Sequence, residues 1–113
     1  MKTAWETEWG GNRIYIEVIT SSVFEGLGKA FFWGLFGRPK TRSMMLYGRE
    51  LVAQREVKEP LGWFSYEFDL VGAAHLSSGH EANFHAVVTL GGIAFDKCHL
   101  SVDGEEVPLQ KIL

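Results

Sequence analysis

The strongest constraint on the fold is a two-residue rhythm. Along 82–90, Ala82, Phe84, Ala86, Val88 and Leu90 fall on one side, while Glu81, Asn83, His85 and Thr89 take the other. Phe64, Tyr66, Phe68 and Leu70 alternate in the same way with Ser65, Glu67 and Asp69. An extended chain points successive side chains to opposite faces, so this pattern calls for half-buried strands. Residues 3–9 repeat it, with Thr3, Trp5, Thr7 and Trp9 inward. After the turn Gly10-Gly11-Asn12, Ile14, Ile16 and Val18 face inward from 13–20. These two runs read as a hairpin.

The rest of the chain extends the pattern. Met44–Tyr47 and Leu51–Val57 are expected as short strands joined at Gly48-Arg49. Glu59-Pro60-Leu61-Gly62 breaks the chain, and 72–80 (GAAHLSSGH) reads as a loop of small and polar residues. Gly91-Gly92 turns it again. In 93–102 the inward set moves from Ile93 and Phe95 to Cys98, Leu100 and Val102, a slip of phase that a β-bulge near Asp96-Lys97 would produce. Asp103-Gly104 is a hairpin turn. The last strand is expected over 106–112, with Pro108 placing it at a sheet edge.

The expected fold is therefore all-β: an antiparallel sandwich or small barrel of about eight strands in a single domain, 1–113. A gapless match of MLYGRELVAQR (45–55) to SVDGEEVPLQK (101–111) sets Gly48 against Gly104 and Leu46 against Val102. It suggests two pseudo-repeated halves, 1–58 and 59–113.

One stretch does not fit the rhythm. Residues 22–42, SVFEGLGKAFFWGLFGRPKTR, read as an inserted short helix. Ser22 and Glu25 have capping-box spacing, Gly37 falls at a C-cap, and Pro39 stops continuation. Val23, Phe24, Leu27, Ala30, Phe31 and Leu35 recur at helical spacing, and Phe32, Trp33 and Phe36 make the other side apolar too. Gly26, Gly28 and Gly34 each cost a helix about 1 kcal/mol relative to alanine, so outside contacts must support it. The apolar part is too short for a bilayer, which takes ~20 residues. Lys29, Arg38, Lys40 and Arg42 oppose only Glu25, giving 25–42 a net charge of +3 within a chain of net −3.

At MLYGRELVAQREV and HLSVDGEEV the sequence resembles the Fas apoptosis inhibitory molecule. The resemblance covers 44–113. It implies a β-sandwich of repeated aromatic and Val-Asp-Gly-ended strands without an assigned enzymatic site. The insertion at 22–42 departs from that pattern, and no functional residue is carried over.

Motifs for catalysis are weak. His80 and Glu81 do not begin a zincin motif, because three residues rather than two separate Glu81 from His85. On a strand His80 and His85 point apart, and so do Cys98 and His99, which excludes a thiol–imidazole dyad between neighbours. His75, His80 and His85 remain the metal candidates, although no metal or cofactor is expected. Ser77 and Ser78 lack a nucleophile elbow, and no phosphate-binding glycine loop occurs. Cys98 is the single cysteine, so no intrachain disulfide forms; with no apolar leader, a cytoplasmic protein is expected. The net charge gives no nucleic-acid footprint.

The expected role is a non-enzymatic protein-interaction or homo-assembly module. Its contact surface is the insertion 23–36, with Phe24, Leu27, Phe31, Phe32, Trp33 and Phe36 as anchors and Arg38, Lys40 and Arg42 as a basic rim. An anionic membrane surface met by the same residues is the second expectation. A small hydrophobic-ligand barrel or hydrolase is the third.

Overall fold

The computed structural model describes residues 2–20, 40–58, 65–90 and 96–113. The alternating runs form two antiparallel sheets packed as a sandwich. Sheet A contains β1 (Lys2–Trp9), β2 (Asn12–Ile19), β3 (Lys40–Tyr47), β4 (Glu50–Lys58) and the short β9 (Gln110–Lys111), in the order β4-β3-β2-β1-β9. Sheet B contains β5 (Tyr66–His75), β6 (Glu81–Leu90), β7 (Lys97–Val102) and β8 (Glu105–Val107), in sequential order. The inward residues fill the space between the sheets. Trp5, Ile14, Ile16, Val18 and Met45 come from sheet A, and Phe68, Leu70, Phe84, Val88 and Leu100 from sheet B. Burying each such side chain contributes roughly 1.5–3 kcal/mol.

The two ends of the sandwich differ in chemistry. At the end holding the tight turns, Trp9 meets Phe84 edge-on at 5.9 Å, and Tyr47 lies 5.2 Å from the same ring. The Tyr47 hydroxyl donates to the carbonyls of Trp9 and Gly10, so this cluster also ties down the β1–β2 turn. At the opposite end buried hydroxyls stand among the apolar side chains. Thr41 Oγ1 lies 2.5 Å from the Tyr66 hydroxyl across the sheets, Thr3 donates to Asp96, and Ser43 donates to the Arg55 carbonyl.

One seam between the sheets is closed by backbone. The β3–β4 register shifts between Met45 and Leu46, which leaves Val52 as the extra residue of a bulge. Its carbonyl oxygen approaches Gly72 of β5 so closely that a Cβ there would lie 1.9 Å away. Arg55 Nη1 reinforces the seam by donating to the Asp69 carbonyl at 2.8 Å.

Several sequence expectations need correction. Gly72–His75 are strand, not loop: they pair with Phe84–Glu81, and only Leu76–His80 turn. Small residues there reflect the tight seam rather than a turn. Strand β3 begins at Lys40, so Lys40 and Arg42 belong to the sheet and not to the insertion. The hydrogen-bonded hydroxyls of Thr41 and Ser43 occupy inward positions that a hydrophobic alternation does not reveal. The final strand is two. Pro108 lacks the N–H needed to continue β8 at the edge of sheet B, and the chain crosses to sheet A, where Gln110 and Lys111 pair with Glu6 and Trp5. Register is regular from Thr89↔Lys97 to Phe84↔Val102, so no bulge lies within the described part of β7. Residues 21–39, where the helix was expected, lie outside the described residues.

Replacing Gly72 with alanine is expected to destabilise the fold by at least ~2 kcal/mol, because backbone rather than a flexible side chain must yield. Urea unfolding of wild type and Gly72→Ala, with Ala73→Ser at the exposed neighbouring position as a control, measures this.

Candidate interaction surfaces

Of the predicted contact residues, Phe24, Leu27, Phe31, Phe32, Trp33, Phe36 and Arg38 lie outside the described residues. Their root is described. Strands β2 and β3 are direct neighbours, paired from Ile14↔Tyr47 to Ile19↔Arg42. Lys40 stands opposite Lys58 in the register, and the Arg42 side chain, 75% exposed, reaches Glu56 at 3.5 Å.

The histidines do not converge. Each pairs with a different carboxylate on the solvent face of sheet B: His75 with Glu81 at 3.9 Å, His80 with Asp103 at 3.3 Å, His85 with Asp69 at 3.5 Å and His99 with Glu106 at 3.7 Å. Alternation separates them into successive rows, and neighbouring strands supply an acid to each. No three His, Cys, Asp or Glu side chains among the described residues are grouped to hold a metal ion. The sequence rhythm places His85 and His99 outward, whereas His75 and His80 fall in the stretch read as a loop. It does not show their carboxylate partners, because those come from strand register.

Asp103 is the best-organised of these acids. It adopts φ 52° and Gly104 φ 85°, as a tight hairpin turn requires. Its carboxylate accepts the Asn83 N–H at 2.9 Å, and its own N–H donates to the Asn83 carbonyl. The Asn83 N–H and then His80 hold the Asp103 carboxyl below the usual range.

Cys98 and His99 face opposite ways, as alternation requires. Burial pushes the Cys98 thiol up to about 12, which disfavours the thiolate at neutral pH.

On the outer face of sheet A, Glu17 binds Lys2 Nζ at 2.7 Å and accepts from the Tyr15 hydroxyl at 3.0 Å. The Lys2 hydrogen bond lowers the Glu17 carboxyl against the opposing effect of burial, and Glu17 raises Lys2. Arg13 pairs with Glu6 and lies 4.8 Å above the Tyr15 ring. Where β9 stops covering β1, a cleft of about 500 Å³ opens, lined by residues including Thr7, Glu8, Pro108 and Leu109.

Comparison of the chain with protein-family models, curated proteins and solved structures returns no match to any of them.

Two outcomes are expected. Cys98 in the native protein should resist a thiol reagent at pH 8 and react fully only in denaturant, measured by the rate of chromogenic labelling. The lowered Glu17 carboxyl contributes stability above its unfolded titration range, and that contribution is lost as pH falls through its folded value. Lys2→Met should therefore lose less of its urea midpoint than wild type between pH 7 and pH 3.

Proposed function

We propose that the protein is a non-enzymatic cytosolic interaction module that self-assembles through the apolar insertion 23–36. The observation that carries this reading is the pairing of β2 with β3. Strands joined through Ile19↔Arg42 need a turn of about two to five residues, yet residues 20–39 stand between them. The added chain carries Phe24, Leu27, Phe31, Phe32, Trp33 and Phe36, a density of large apolar groups that marks contact surfaces. Aromatic anchors ringed by basic residues are the composition of interface centres.

Two further proposals accompany it. The kinship with the Fas apoptosis inhibitory molecule is supported by the sandwich and by the Val102-Asp103-Gly104 hairpin turn. The division into two halves is supported by strand order, because β1–β4 and β5–β8 are each a sequential meander, and by positive φ at both Gly48 and Gly104. The gapless match does not carry through the side chains: Leu46 faces outward from sheet A, whereas Val102 faces into the core. The halves correspond in strand order with an offset of one residue.

A second reading, contact of the insertion with an anionic membrane, draws on Lys29, Arg38, Lys40 and Arg42 against the single acid Glu25 in 25–42.

Light scattering on wild type and Phe31→Glu/Trp33→Glu, with sedimentation on anionic liposomes, tests both. Self-assembly predicts a wild-type dimer, a folded monomeric variant and no sedimentation of either. Salt-sensitive sedimentation of a monomeric wild type would replace that reading with the membrane one.

A further inference from the structure

Strand β9 reaches sheet A from the other side of the sandwich. Strand β8 ends at Val107 on the edge of sheet B, and two residues, Pro108 and Leu109, carry the chain across to β1. There Gln110 and Lys111 stand opposite Glu6 and Trp5. Ile112 and Leu113 donate to the Ala4 carbonyl at 2.9 and 3.4 Å, and the Ala4 N–H donates to the Leu113 carbonyl at 3.5 Å. The amide and carbonyl of Ala4 both face this segment, so β1 offers it a ladder edge read by main chain.

The hold on the segment is thin. Gln110 and Lys111 are exposed, Ile112 is 37% exposed and Leu113 56%. Leu109 of the crossing packs against the core. A cleft of about 500 Å³ opens beside the crossing, with Thr7 and Glu8 of β1 in its wall.

A strand bound to an edge through main chain, and joined to its own fold by two residues, can be supplied equally by another copy. The same ladder forms, and no new complementarity is needed. The crossing favours this exchange. Pro108 fixes its own φ and biases Val107 towards extended backbone. Two residues leave few bonds over which to spread the change of sheet, and short hinges invite exchange. Tethering opposes it. The effective concentration of the segment at its own β1 is on the order of millimolar, so dilute copies stay closed and exchange enters as the protein is concentrated.

We propose that the edge of β1 at Ala4–Glu6 is a strand-accepting site whose partner is segment 110–113 of a second copy of this chain, exchanged about Pro108-Leu109. The occupant is the segment that already lies on that edge. The exchange uses no residue of 23–36 and goes beyond the self-assembly reading above.

The test is disulfide trapping between full-length copies, all carrying Cys98→Ala to remove the single native thiol. Glu6 and Gln110 are register partners, and Cα atoms in such a hydrogen-bonded pair lie about 5.5 Å apart, within disulfide range. A Glu6→Cys copy is mixed at high concentration with a Gln110→Cys copy under mild oxidation. In the control, Glu67→Cys on the outer face of sheet B replaces Glu6→Cys. Circular dichroism verifies folding. The expected product is a heterodimer with its disulfide mapped to positions 6 and 110, in a yield at least about tenfold above the control. Inserting Gly-Ser-Gly between Val107 and Pro108 relaxes the hinge and should lower that yield. A yield no higher than the control overturns the proposal. The mixing is repeated with Phe31→Glu/Trp33→Glu in both copies, which removes contact through the insertion. A cross-link that persists upholds exchange; one that vanishes overturns it and leaves the insertion as the assembling surface. Should Glu6→Cys fail to fold, sedimentation velocity of concentrated wild type and the longer-hinge variant decides. A dimer diminished by the longer hinge upholds the proposal, and equal dimer in both, or none in either, overturns it.

Discussion

The fit of Gly72 against the bulged backbone at Val52 governs how the two sheets meet. A bulge twists β4 and swings its carbonyl toward sheet B. Only a residue without a Cβ leaves room for it. With backbone touching backbone at this seam, β4 and β5 stand closer than side-chain packing allows. The Arg55 guanidinium can then reach the Asp69 carbonyl. The opposite seam is spanned by the chain itself, through Pro108 and Leu109. The sandwich is thus pinned along one edge and strapped along the other.

That asymmetry is matched along the strand direction. Aromatic rings join the sheets at the end of the short turns, where Trp9, Tyr47 and Phe84 interlock. Hydroxyls and a carboxylate join them at the end where the longer connections leave, through Thr41–Tyr66 and Thr3–Asp96. Apolar contacts tolerate small displacements, whereas a hydrogen bond is directional and weakens steeply once misaligned. The polar end therefore adds directional bonds between the sheets, and the aromatic end adds ring contacts.

The strand content was legible because alternation is a local property, and Phe84, Ile14, Ile16 and Val88 are buried where their phase puts them. Legibility failed where partners, not neighbours, decide. Gly72-Ala73-Ala74 looks like loop until the proximity of Val52 is known. Thr41 and Ser43 look like surface until their bonds to Tyr66 and Arg55 are seen. Pro108 signals an edge, and β8 is the edge strand of sheet B, but nothing in its neighbours says that the chain will change sheets beyond it. The sequence offers His75, His80 and His85 as metal candidates. Their pairing with Glu81, Asp103 and Asp69 depends on cross-strand register, which alternation alone does not fix.

The crossing at Pro108 also bears on how the chain reaches this state. Among the described residues, every ladder but one joins strands that follow each other in sequence, so both meanders can grow by local hairpin closure. The exception is β1 with β9, where Trp5 meets Lys111 and Ile112 donates to the Ala4 carbonyl across nearly the whole chain. Closing so long a loop for so few hydrogen bonds is entropically unfavourable until the intervening sheets are in place. This rung is therefore the last to form and the first to break, and the edge of β1 is bare for as long as refolding is unfinished.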